Sequence, residues 1–188
     1  MKVVGLVVLV LVGLVALAGL SGVGAYNTLV QRQEAIHENW AQVENVLQRR
    51  YDLIPNLVNT VKGYAAHEKN VLEDVTRLRS QWGEAKTDSE KVQAAQALEG
   101  ALGRLMVVVE RYPDLKANQN FLALQDELAG TENRIAVERR RYNETVRSYN
   151  VAVRGFPSNI VAGLAGFKMS DAYFQAAAGA KEAPAVQF

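Results

Sequence analysis

Glu34 and His37 form the only Glu-x-x-His pair in the chain, and on a helix the i, i+3 spacing aims both side chains at one metal ion. A ferritin-like di-metal centre needs two such pairs and two further glutamates from facing helices. Three residues before the other histidine, His67, stands Tyr64, so the second pair is missing. His37 also falls one residue off the seam drawn by Ile36 and Trp40, where a surface histidine is the ordinary reading. The chain has no Cys, which excludes disulfides, thiolate metal sites and a cysteine nucleophile. No nucleophile elbow, phosphate loop or dinucleotide fingerprint is present. No catalytic, cofactor-binding or metal-ligating residue is assigned, and a non-enzymatic protein without cofactor is expected.

Charge is the next chemistry to place. Glu68 and Glu132 fall near apolar seams, where an unpaired buried carboxylate costs several kcal/mol, of the order of 3–5 for a broken buried pair. Arg134, Arg139 or Asn118 could partner them, so Glu68, Glu132 and Arg139 are expected to form a polar core that sets helix register. Three consecutive arginines at 139 to 141 are spread by helical winding over about 200° and present no flat phosphate-binding face. Apart from Lys2, 20 basic residues balance 20 acidic ones. That balance gives nucleic acid no whole-domain attraction.

These residues must be positioned by helices. After Tyr26 the apolar residues recur every three or four positions for about 130 residues, with no strand-like alternation. The first seam runs Leu29, Ile36, Trp40, Val43, Leu47 and Ile54. Pro55 then predicts a turn at 51–55, with a helix kink there as the alternative. A second seam, Leu57, Val61, Tyr64, Val71, Val75, Leu78 and Trp82, carries Glu68 and ends near Gly83. Thr87 and Glu90 have the spacing of a capping box for a third helix, with Val92, Ala95, Leu98, Leu102, Leu105, Met106, Val109 and Tyr112 inward. Tyr112-Pro113-Asp114 marks the next turn. The fourth helix, from about 115 to 154, repeats Phe121, Leu128, Ile135, Tyr142, Tyr149 and Phe156 every seven residues, a coiled-coil-like stripe closed by Gly155 and Pro157. Four such helices with short links bury their stripes against one another as an antiparallel bundle.

Residues 3–25, VVGLVVLVLVGLVALAGLSGVGA, are uncharged and, at about 1.5 Å per residue, span about 34 Å as a helix, enough to cross hydrocarbon. A cleaved leader is the alternative, with Val23-Gly24-Ala25 as the cutting site, but leaders commonly stop their apolar run at about 15 residues. Lys2 on one side and Arg32 on the other lean towards a cytoplasmic N-terminus. The expected plan is all-α: an anchor over 1–26, an elongated antiparallel four-helix bundle over 27–174, and a disordered tail over 175–188. Back-and-forth passes return the end of helix four to the membrane side. There NIVAGLAGF, residues 159–167, offers Ile160, Val161, Leu164 and Phe167 to the membrane interface or a partner, packs where bundle and anchor meet, or serves as a plain bundle cap.

The chain resembles the LemA family of bacterial single-pass membrane proteins. The resemblance lies in YNTLV at 26–30, in the blocks at 40–80 (WAQVENVLQRRYDLIPNLVNTVKGYAAHEKNVLEDVTRLRS) and 110–150 (ERYPDLKANQNFLALQDELAGTENRIAVERRRYNETVRSYN), and in FPSNIVAGLAGF at 156–167. AVERRRYN is more basic than the family pattern, where an acidic residue usually precedes the tyrosine. The resemblance implies a retained membrane helix, an elongated four-helix bundle and no enzymatic activity. It further implies a place in the cell membrane with the N-terminus outside the cytoplasm, against the lean of Lys2, so sidedness stays open. Neighbours implied by it are the membrane metalloprotease HtpX and TPM-domain proteins. The expected role is a membrane-anchored scaffold or adaptor that self-assembles through its tyrosine-rich fourth helix; lipid binding or membrane shaping, and more remotely a metal-dependent oxidase, are the alternatives.

Overall fold

The computed structural model describes residues 2–175. Among them are six helices and no strand: α1, Lys2–Tyr64; α2, Lys69–Glu84; α3, Asp88–Val109; α4, Pro113–Lys116; α5, Gln119–Arg154; and α6, Ser158–Ala165. The all-helical expectation holds. Residues 176–188, most of the expected disordered tail, lie outside the described residues. Over the described residues two compact units form, one from 2–39 and 144–170, the other from 40–143 and 171–175.

The turn expected at 51–55 does not exist. Helix α1 passes straight through Pro55, because the proline ring sits on the exposed face while the buried stripe Leu47, Tyr51, Ile54, Leu57 and Val61 continues unbroken on the other. Proline has no N–H, so the carbonyl four residues back, that of Tyr51, loses its helical donor. Arg79 on α2 replaces it, its Nε donating to the Tyr51 carbonyl at 3.1 Å. The chain reverses instead at residues 65–68, and Leu72, rather than Val71, is the buried residue that follows. Tyr64, expected on the seam, is 44% exposed.

The later boundaries follow the local chemistry. Thr87 caps α3: its Oγ1 accepts from the Glu90 N–H at 3.2 Å, and Glu90 accepts from the Thr87 N–H at 3.0 Å. Pro113 opens the single turn α4. Asn118 then caps α5, its Oδ1 accepting from the Phe121 N–H at 3.0 Å. On α5 the seven-residue stripe is buried at Phe121, Leu128, Ile135, Tyr142 and Tyr149, but Phe156, beyond the end of the helix, is 82% exposed.

In the unit built around Trp40–Asn143, α1, α2, α3 and α5 all contribute buried side chains. Tyr51 of α1 meets Trp82 of α2 at 4.1 Å between ring centroids, and Trp40 of α1 meets Tyr142 of α5 at 5.3 Å. Phe174 stacks on Trp40 at 6.0 Å, and the Arg139 guanidinium lies 4.9 Å from its ring centroid. In the other unit the buried positions include Leu29 and Ile36 of α1, Val146 and Tyr149 of α5, and Ala162 of α6.

Two outcomes test this account. Arg79→Ala should lower stability by about 1–3 kcal/mol by leaving the Tyr51 carbonyl unpaired, and should cost less in a Pro55→Ala background, where residue 55 regains the helical donor. Urea unfolding of the detergent-solubilised chain, followed by Trp40 and Trp82 fluorescence, reads the cycle; equal costs in both backgrounds would show that Arg79 does not serve that carbonyl. The Lys86 and Thr87 N–H groups hold the Glu90 carboxyl below its ordinary pKa. Its contribution is therefore present above the ordinary carboxylate range and lost as pH falls through the lowered value in the folded chain. Glu90→Gln should flatten that part of the acid-stability profile.

Candidate functional site

Glu34 and His37 are exposed on α1, and His67 is exposed in the 65–68 reversal. Among the described residues, no three His, Asp or Glu side chains gather as a metal-binding group.

The three polar residues expected to set register are not partners of one another. Glu68 is not on a helix seam. It lies in the reversal, where its Oε1 accepts from the Arg111 guanidinium at 2.9 Å and from the Tyr112 hydroxyl at 3.1 Å. That carboxylate pushes the Tyr112 phenol up from its ordinary pKa. Glu132 pairs with Arg50, which is only 9% exposed. Arg139 pairs with Glu99 of α3 at 2.6 Å. Of the partners expected for the carboxylates, Arg134 is exposed and Asn118 donates to the Tyr64 hydroxyl at 2.9 Å while capping α5. The interhelix pairs thus tie α1 to α5 through Arg50 and Glu132, α1 to α3 through Glu44 and Lys91, α3 to α5 through Glu99 and Arg139, and, at the exposed surface, α2 to α3 through Asp74 and Arg104.

Tyr51 and Tyr142 are buried, and the loss of solvent pushes both phenols well above their ordinary pKa. At neutral pH they are protonated donors, not bases. Among the described residues, neither hydroxyl has a hydrogen-bond partner, nor do Trp82 Nε1 and the Nε atoms of Arg50 and Arg139.

The apolar segment after α5 divides between two faces. Val161 and Phe167 are half-buried, and the Phe167 ring meets Tyr26 edge-on at 5.6 Å. Ile160 and Leu164 are 56% and 86% exposed. Gly166, at φ +79°, closes α6 in the left-handed conformation, with the Phe167 N–H on the Ala162 carbonyl at 2.9 Å. The chain beyond is fastened to α5 by two asparagines absent from the sequence reading. Asn150 donates to the Ser170 carbonyl at 2.7 Å and accepts from its N–H at 2.9 Å. Asn143 holds Phe174 the same way, at 2.8 and 3.0 Å. The overlooked signal is the repeated Tyr-Asn pair at 142 and 149, seven residues apart.

A model of the LemA family matches residues 39–188. The chain belongs to the LemA family. Similar proteins include magnetosome protein MamQ 2 of Paramagnetospirillum magneticum, 30% identical over 176 residues, covering 80% of this chain and 64% of that protein. MamQ of Magnetospirillum gryphiswaldense is 28% identical over 180 residues, 82% of this chain and 66% of its own length. Protein LemA of Metamycoplasma hominis is 28% identical over 141 residues, 74% and 64% of the two chains. The chain therefore spans slightly under two thirds of the length of these relatives.

The half-wet Arg50–Glu132 pair makes an asymmetric prediction. Glu132→Ala strands a buried guanidinium, whereas Arg50→Met leaves a carboxylate 41% exposed that water can serve. Glu132→Ala should cost about 1–3 kcal/mol and Arg50→Met less, read by the same urea titrations. The reverse order would show that the stem of Arg50, not its charge, is what the core uses.

Proposed function

We propose that this chain is a non-enzymatic scaffold or adaptor of the cell membrane, anchored by one pass of α1, whose elongated antiparallel four-helix bundle offers helix surfaces to partners and to further copies of itself. One observation carries the reading: α1 is long and apolar enough to cross a membrane, and it continues without a break into a stretch whose one face is buried protein core. Within residues 3–25, Val3, Leu9, Val15 and Leu20 are each 70% exposed or more. Side chains of this kind are at home among lipid tails and costly in water, at about 25 cal/mol per Å² of apolar surface.

The inward residues support the non-enzymatic part. The interhelix ion pairs account for Arg50, Glu132, Glu99 and Arg139, and the buried phenols are held protonated. Long helices joined by short links leave much of the outer surface to partners. By family resemblance, HtpX and TPM-domain proteins are the neighbours to look for first.

The test is fractionation and cross-linking of the full chain in its own membranes. The protein should stay with the membrane pellet at alkaline pH, deletion of residues 3–25 should release it, and cross-linking should capture a second copy or a defined neighbour. Release of the intact chain by alkali would remove the anchor. A membrane-bound chain with no adduct at any cross-linker length would remove the scaffold.

A further inference from the structure

Helix α6 is apolar on both sides. Ala162 is buried and Val161 half-buried against the protein, yet the opposite face, Ile160 and Leu164 one turn apart, is exposed. Phe156, just before the helix, is exposed at 82%. Ser158 and Asn159 are the only polar side chains α6 has. A surface helix facing water carries polar residues along its outward face, and here only Asn159 does so beside Ile160 and Leu164, which leaves most of that face for a second apolar environment.

The same unit says which environment that is. Phe167, directly after α6, packs on Tyr26, and Tyr26 directly follows the uncharged segment of α1. The chain there is not a loose tether. The Tyr149 hydroxyl donates to the Lys168 carbonyl at 2.9 Å, and Asn150 holds Ser170 from both sides. Residues 145–170 also contain no acidic side chain but carry Arg147, Arg154 and Lys168, all exposed. An apolar face with Arg154 and Lys168 near its two ends in the chain matches the boundary between anionic headgroups and acyl chains.

We infer that Phe156, Ile160 and Leu164 form a second membrane contact, lying in the headgroup–acyl boundary of the bilayer that α1 crosses. The inference rests on the anchor reading above. It differs from the expectation for 159–167 in its residues, since Phe156 joins the contact while Val161 and Phe167 serve the protein side.

The chain has no Cys, so single Phe156→Cys, Ile160→Cys, Leu164→Cys, Leu17→Cys and Val107→Cys variants of the full chain each take one environment-sensitive fluorophore. They are reconstituted in vesicles of phosphatidylcholine and phosphatidylglycerol containing lipids with a nitroxide either near the headgroup or deep in the acyl chain. Labels at 156, 160 and 164 should be quenched several-fold more by the shallow nitroxide than the label at 107, an exposed position of α3. The label at 17 should be quenched chiefly by the deep one. If 17 is quenched and 164 emits as in water, the second contact is wrong and the anchor stands. If 164 emits as in an apolar site, escapes both nitroxides and reverts when protein is diluted in lipid, a second copy covers the face and the inference falls. No quenching at 17 would take the anchor and the inference together.

Discussion

One missing hydrogen bond organises the larger unit. Pro55 deprives the Tyr51 carbonyl of its donor in the middle of the longest helix, and Arg79 of α2 supplies one. A proline inside a helix costs about 3 kcal/mol, and a hydrogen bond from a charged donor returns about 1.5–3, so the two are of comparable size. Because α1 continues, the chain reverses at 65–68 and not at 51–55. That shift of more than ten residues decides which side chains meet. It brings Tyr51 onto Trp82, turns Arg50 towards Glu132, and leaves Glu68 in the reversal within reach of Arg111 and Tyr112.

Apart from the exposed contact of Arg104 on α3 with Asp74 on α2, three interhelix ion pairs share a pattern. In each the cation is the more buried partner: Arg50 at 11% side-chain exposure against 41% for Glu132, Arg139 at 14% against 30% for Glu99, and Lys91 at 23% against 38% for Glu44. Long basic stems lie along apolar surface while the shorter carboxylates stay at the wet rim. Such pairs add little net stability, since desolvation offsets most of the attraction, but a wrong pairing would bury a guanidinium alone.

What the sequence revealed divides along physical lines. Burial at Ile36, Trp40, Val43, Leu47, Ile54 and along the Phe121 to Tyr149 stripe was legible, because helical period and burial are the same fact. So was the Thr87 capping box, whose partners are three residues apart. The passage through Pro55 was not legible, since it depends on a donor 28 residues away. Nor was the reversal at 65–68, where Ala-Ala-His-Glu continues a helical pattern and carries no breaker. The polar partners failed for the same reason: period identifies an inward stripe but not the azimuth at which a neighbouring helix offers its own charge. Arg50 went unrecognised because an arginine one position from a buried tyrosine reads as surface until its neighbour is known.

The two Tyr-Asn pairs of α5 show how one period can do two jobs. Seven residues are nearly two turns, so Tyr142 and Tyr149 return to almost the same inward azimuth, and Asn143 and Asn150 to the one beside it. Each asparagine amide offers a donor and an acceptor in the geometry of a peptide group, and each clasps both backbone polar groups of one residue in the segment after α6, Ser170 or Phe174. The phase that buries the tyrosines therefore also fixes where the returning chain can lie, and only with the chain held there does Phe174 reach Trp40 and Tyr142. Moving either asparagine one position on, to 144 or 151, would turn its amide about 100° away and release the segment without disturbing the stripe that the tyrosines form.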